Sequence, residues 1–339
     1  GVLQQFDRPV EMYCNPANCY CAKILGDLNK IKVGKKEMYI RPENIKIVSK
    51  SNYKVVVKTC YYQGRYYKIK CLHEMETWYI FSNEYLAPDQ QTWNYGLPNQ
   101  FDLIDEDFIE LDEAIRKDEF RNINALIIIK NDQLIFENYY LDQQRDDLNN
   151  IDNATNILAS IAIGMAIDDG YLISIKTPIA DFLPEYEDEL STDSLKKNIT
   201  IEQLLTHRSG LSWDEIVSEN DLKRMMETYD WAKYILEKPL DAVPGTRYNF
   251  NSGVGMILSK IIQNLTDESL SSYLNRRLFK TLEINNWIWT TDPSGTTNAT
   301  NGLHLTQLDF TKIGYLMIKN GLWKDRVILS NDWIYESTN

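Results

Sequence analysis

Histidine is scarce in this sequence, and beyond residue 71 cysteine is absent. Three histidines, His73, His207 and His304, are spread over 339 residues. They are too few and too scattered for a Ser-His-Asp triad or a histidine metal site, so no metal or other cofactor is expected. Positive charge is also short, with 36 Lys and Arg against 49 Asp and Glu, a net charge of −13. That balance excludes a nucleic-acid-binding surface and an anionic membrane as partners. No apolar run reaches the length of a membrane-spanning helix. No secretory signal stands at the start either, where Gly1 rather than Met suggests processing or trimming.

What is present suits a folded protein of two modules. The chain is 43% hydrophobic and 12% aromatic, enough for a packed core and unlike a disordered chain. Its length allows one large and one small domain. All five cysteines, Cys14, Cys19, Cys21, Cys60 and Cys71, lie in the first 71 residues, an asymmetry that sets the front of the chain apart.

Residues 1–86 read as a small all-β domain. In "NYKVVVKTCYYQGRYYKIKCL", β-branched and aromatic runs flank Gln63-Gly64. A turn there would set Cys60 opposite Tyr67, with Cys71 four residues further on. Four strand residues span about 13 Å, whereas bridged Cα atoms sit roughly 4.4 to 6.8 Å apart. Cys60 and Cys71 should therefore not pair with each other, and any disulfide would reach back to Cys14, Cys19 or Cys21. Free buried thiols are the alternative, and a zinc site is disfavoured because Cys-x4-Cys-x-Cys lacks knuckle spacing. Residues 87–102, "APDQQTWNYGLPNQFD", are rich in Pro, Gln and Asn and read as a linker.

From residue 103 to 339 the pattern changes. "INALIIIKNDQLIFENYY" predicts two strands around a hairpin turn at Asn131-Asp132. The segment from Ile157 to Ile167, apolar nearly all the way round, predicts a buried helix that stops at Gly170.

Two resemblances follow from these and later segments. "CNPANCYCAKILGDL" and "METWYIFSNEYL" are similar to the opening and closing strands of a bacterial Src-homology-3-like barrel. Such modules bind cell-wall material or peptides in many extracytoplasmic proteins, which implies a periplasmic or secreted location. The second resemblance is carried by ordered segments, among them "ASIAIGMAIDDGYL", "ITIEQLLTHRSGLSWDE", "VPGTRYNFNSGVGMILSKII" and "GLHLTQLDFTKIGYLMIKNGLW". Together they resemble the β-lactamase-related serine hydrolases, a group that includes penicillin-binding proteins, in particular the esterase and 6-aminohexanoate-oligomer hydrolase-like branch. The fold implied is an α/β sandwich of β-lactamase/transpeptidase type, an antiparallel sheet flanked by helices.

That resemblance also implies a site. The family's nucleophile is the serine of a Ser-x-x-Lys motif at the start of the buried helix, where residues three apart share a face. Counting back from Gly164 puts Asn153 at the serine position and Asn156 at the lysine position, and Phe250 aligns with the family's tyrosine. Neither amide is a nucleophile or a base near neutral pH, and Phe250 has no hydroxyl. No catalytic residue is then intact, and the cleft would be lined by Asn153, Thr155, Asn156, Tyr248, Phe250 and Asn251. A structural role for Asn153 is an N-cap. Ser160, Ser209, Thr155 and Tyr248 are the hydroxyls available as replacements, each more naturally structural.

The expected function is a pseudoenzyme retained for binding or scaffolding. One alternative is an active esterase, amidase or peptidase using replacement residues; another is that the N-terminal barrel carries the function. The family continues into further sheet strands past "WIYESTN", so either the sequence is a fragment or a protein partner or self-association would complete the sheet. The sequons Asn153-Ala-Thr, Asn198-Ile-Thr, Asn264-Leu-Thr and Asn298-Ala-Thr matter only in a glycosylating pathway.

Overall fold

A computed structural model describes residues 27–33, 36–46, 55–62, 67–73, 76–82, 93–96, 98–215 and 220–338. They fall into two compact units, Gly1–Gln144 and Arg145–Asn339.

The first unit opens with the antiparallel hairpin of β1 (Asn29–Val33) and β2 (Lys36–Ile40). An antiparallel meander follows, β3 (Val56–Tyr62), β4 (Tyr67–His73) and β5 (Glu76–Ser82). The amide of Asn29 acts as an extra rung on β5. Its Nδ2 donates to the Tyr79 carbonyl at 2.5 Å and its Oδ1 accepts from the Tyr79 N–H at 2.6 Å. Cys60, Ile69, Cys71, Trp78 and Ile80 form the meander's core. Cys14, Cys19 and Cys21, with the proposed opening strand of the barrel, lie outside the described residues.

The β3–β4 register corrects the two-residue turn expected at Gln63-Gly64. Tyr62 pairs with Tyr67, so the connection takes four residues, and Cys60 stands opposite Ile69 rather than Tyr67. Cys71 is then only two residues past Cys60's partner, so its expected four-residue distance from Cys60 does not hold. Cys71 is a buried thiol that donates to the Trp78 carbonyl at 3.6 Å. Burial pushes its pKa up to about 11, which keeps it protonated and unreactive.

The rest of the unit is built on β6 (Asn94–Tyr95), β7 (Ala125–Lys130) and β8 (Gln133–Tyr139), in the order β6-β8-β7. The short β6 runs parallel to β8 beside a buried Trp93, inside the stretch expected as a linker. The predicted hairpin forms between β7 and β8. Asn131 (φ 48°) and Asp132 (φ 65°) both take the left-handed conformation, as a two-residue primed turn requires. Helix α1 (Asp105–Arg116) offers Phe108 to Phe136, with ring centroids 5.5 Å apart. Its Asp112 accepts from Tyr140 Oη at 2.9 Å, Arg116 Nε at 2.8 Å and the Asn138 amide. A buried carboxylate is thereby fully partnered.

The second unit is organised around α2 (Thr155–Asp168), which the sequence predicts as a buried helix. Gly170 (φ 80°) ends it as expected. Shorter helices surround it: α3 (Ile201–Leu205), α4 (Asp221–Met226), α5 (Trp231–Glu237), α6 (Val254–Thr266), α7 (Leu270–Leu274), α8 (Gln307–Ile318) and α9 (Asn331–Thr338). Against them stands an antiparallel sheet in the order β10-β11-β9, from β9 (Asn149–Asn150), β10 (Trp287–Trp289) and β11 (Leu303–Leu305). The hairpin of β12 (Leu322–Trp323) and β13 (Arg326–Val327) lies near the end.

Helix α3 carries a capping box: Thr200 Oγ1 accepts the Gln203 N–H at 3.2 Å and Gln203 Oε1 accepts the Thr200 N–H at 3.1 Å. Gly164 lets the indole of Trp333, on α9, lie directly on the backbone of α2. The start of α2 lies beside the start of α6, where Gly255 approaches Asn156.

Candidate functional site

The start of α2 departs from the N-cap expected at Asn153. A short 3-10 turn, Asp152–Ala154, leads into the helix, and the cap position falls on Ala154 with no side-chain cap. The reason is local geometry. The 3-10 turn already engages the first N–H groups, with Ala154 N–H donating to the Ile151 carbonyl at 3.2 Å. Asn153 is exposed and its amide makes no hydrogen bond.

Asn156, one helical turn on, is fixed. Its Nδ2 donates to the Thr300 carbonyl at 3.1 Å. Gly255, in the first turn of α6, lies against it; a Cβ there would come within 2.6 Å of both Asn156 Oδ1 and the Ala299 carbonyl. The loop bearing Thr300 is rigid because its own polar groups hold it. Asn298 Oδ1 accepts the N–H groups of Thr300 and Asn301 at 3.0 and 3.3 Å. Asp292 accepts those of Thr296 and Trp231 at 2.8 and 3.2 Å. Asn298 is buried with its amide engaged, so its sequon is closed to glycosylation in the fold.

The stretch Tyr248–Ser252 forms the second part of the site, and three anchors hold it. The His207 carbonyl accepts the Asn249 N–H at 2.9 Å, and His207 Nδ1 accepts the Asn251 N–H at 3.4 Å. The Asn249 amide donates to the Trp213 carbonyl at 3.1 Å. Glu215 Oε1 accepts from the Ser252 N–H at 2.9 Å, from the Ser252 hydroxyl and from Trp213 Nε1 at 2.6 Å. His207 (φ 52°) occupies the left-handed region, unusual for a residue other than glycine. Its ring meets Phe250 at 4.8 Å and Tyr248 at 6.0 Å between centroids. Burial holds the imidazole below its ordinary pKa, partly offset by the Glu215 charge, so it is neutral at pH 7. With Nδ1 accepting, its proton sits on Nε2.

Of the residues expected in the cleft, the fold joins Thr155 and Asn156 on α2 with the start of α6. Tyr248, Phe250 and Asn251 gather around His207, seven, five and four residues before Gly255. Tyr248 is 61% and Phe250 39% exposed. Thr155 is buried, and its hydroxyl has no partner. Asn251 is only 1% exposed, yet neither its Nδ2 nor its Oδ1 has a partner. Ser209 is buried, its hydroxyl accepting the Leu211 N–H at 3.4 Å. His304 lies in β11, opposite Asn150 of β9. Sequence reasoning missed Trp213, Glu215 and Ser252. All three lie inside the quoted family segments, but nothing local marked their partnership, which joins positions 37 residues apart. No group of three or more His, Cys, Asp or Glu able to hold a metal occurs among the described residues.

Comparison with known proteins gives the family context. Residues 124–313 match the family model described as Beta-lactamase. A lovastatin esterase of Penicillium rubens is 26% identical over 165 residues, 42% of this chain and 39% of that protein. A Bacillus anthracis protein described as a 6-aminohexanoate-dimer hydrolase aligns with a TM-score of 0.56 at 17% identity. That alignment covers 63% of this chain and 58% of the other. A penicillin-binding protein homologue from Caulobacter crescentus gives 0.53 at 14%, covering 67% and 74%. The chain thus spans under two thirds of the first two of these relatives. At these identities the solved structures speak for the fold alone. With the family model matching more than half of its length, this chain belongs to the β-lactamase family and has its α/β fold.

Proposed function

We propose that this protein uses a β-lactamase-type serine hydrolase fold to bind a ligand without hydrolysing it. The observation that carries the reading is Asn156, whose amide is tied to the Thr300 carbonyl and packed on Gly255. An amide fixed there takes no proton from a nucleophile, and Asn153 beside it supplies none. Phe250, ringed by His207, offers a face rather than a hydroxyl. The hydroxyls of Thr155, Ser209 and Ser252 are poorly suited to take over, because all three residues are buried.

Incubation with p-nitrophenyl esters, and separately with an acylating probe followed by mass spectrometry, tests this directly. The expected result is no turnover above buffer and no adduct on any residue of the cleft. An adduct on Thr155 or Tyr248 would replace this reading with a rebuilt hydrolase, the activity named for the Penicillium relative.

Cell-wall material or a peptide is the ligand class we favour, with an extracytoplasmic location. The support is the small all-β unit of strands at the front of the chain. Among the described residues no helix is long and apolar enough to cross a membrane. Within its sheet β7 pairs with β8 alone among the described strands. That edge is where a protein partner or a second copy would add a strand.

A further inference from the structure

Among the described residues Glu215 has no cationic partner. Its Oε1 accepts three hydrogen bonds, all from neutral groups, the Trp213 indole and the Ser252 backbone and hydroxyl. Its neighbour His207, held neutral by burial, supplies no compensating charge. Those donors stabilise the carboxylate without cancelling its charge, so a ligand's positive charge would still be attracted to it.

The surroundings point to the same class of ligand. Tyr248 and Phe250 flank His207, the first largely and the second partly open to solvent, and aromatic faces attract cations. The chain's net charge of −13 repels anions and draws cations. A neutral apolar guest would cover the carboxylate without partnering it, and among the described residues no donor set for a metal ion is found.

We propose that the niche formed by Glu215, Tyr248, Phe250 and His207 binds a ligand bearing a single ammonium group, held by the carboxylate and the aromatic faces. This rests on the non-hydrolytic reading of the cleft and names the chemistry of what it binds.

The test is a titration of the whole chain with n-butylammonium chloride, with n-butanol as the neutral isostere, at constant ionic strength. The readout is the indole N–H resonance of Trp213, assigned by its loss in Trp213→Phe. Saturable binding of the ammonium ion and none of the alcohol is expected. Glu215→Gln should weaken binding at least about tenfold, since it removes the charge. Tyr248→Leu and Phe250→Leu should each weaken it by about two- to fivefold, the range for an exposed cation–π contact. Both rings are solvent-exposed, so these two variants report even if Glu215→Gln fails to fold. Absence of saturation overturns the proposal. So does equal binding of the alcohol, or unchanged affinity in folded Glu215→Gln or in both ring variants. Ester turnover measured on the same samples separates the two readings. Turnover with ammonium binding removes only the non-hydrolytic reading, while no turnover and no binding removes only the ammonium site.

Discussion

Gly164→Ala tests the packing that fixes the central helix. In an exposed helix interior, replacing glycine by alanine stabilises by about 1 kcal/mol. Here the new methyl would overlap three atoms of the Trp333 indole. Trp333 is itself buried, so the ring cannot swing into solvent without losing its own contacts. Overpacking of this kind costs about 1–3 kcal/mol, and an overlap with the ring itself belongs at the upper end. The net expectation is a loss of roughly 1–2 kcal/mol, which lowers the Tm by about 2–8 °C for a unit of this size.

The assay is thermal unfolding followed by circular dichroism, repeated in a Trp333→Ala background. That single change opens a cavity and should cost about 3–5 kcal/mol. With the indole gone, Gly164→Ala should reverse sign and stabilise by up to about 1 kcal/mol. A stabilising Gly164→Ala in the natural chain, or the same effect in both backgrounds, would refute direct packing of Trp333 on the α2 backbone.

Other expectations concern the site and its supports. Gly255→Ala should displace Asn156 and the Ala299–Thr300 loop, seen as large amide shifts at both places, with no such shifts at Glu215. Thr200→Ala removes one half of a capping box and should cost about 1 kcal/mol in chemical denaturation. Asp292→Ala strands two buried N–H groups and should cost about 2–4 kcal/mol by the same measurement. For His207, burial lowers the folded-state pKa from 6.5, so the unfolded chain binds the proton more readily. Its contribution to stability is complete above about pH 6.5 and is lost as pH falls. Denaturation midpoints between pH 5 and 8 should show that decline, and His207→Gln should flatten it.

Much of this was readable before any coordinates. The turn at Asn131-Asp132 was legible because those two residues accept left-handed backbone cheaply. Helix α2 was legible because its apolar residues run all the way round. The Cys60–Ile69 register was not, because a four-residue connection leaves no signal distinguishing it from the tighter turn read at Gln63-Gly64. Asn153 illustrates the same limit at the site. Asn before an apolar helix reads as a cap, but the preceding 3-10 turn had already taken the N–H groups.

The sequence by itself determined which functional groups the protein owns: amides at residues 153 and 156, a bare ring at 250, a surplus of negative charge and very little histidine. Those are covalent facts, and no fold can add a hydroxyl or an amine to them. Tertiary structure decided which of them meet. It tied Asn156 to Thr300 across 144 residues, brought Glu215 to Ser252 across 37, and left Glu215 without a cation among the described residues. Such pairings depend on how helices and loops pack at distances that no local pattern of residues encodes.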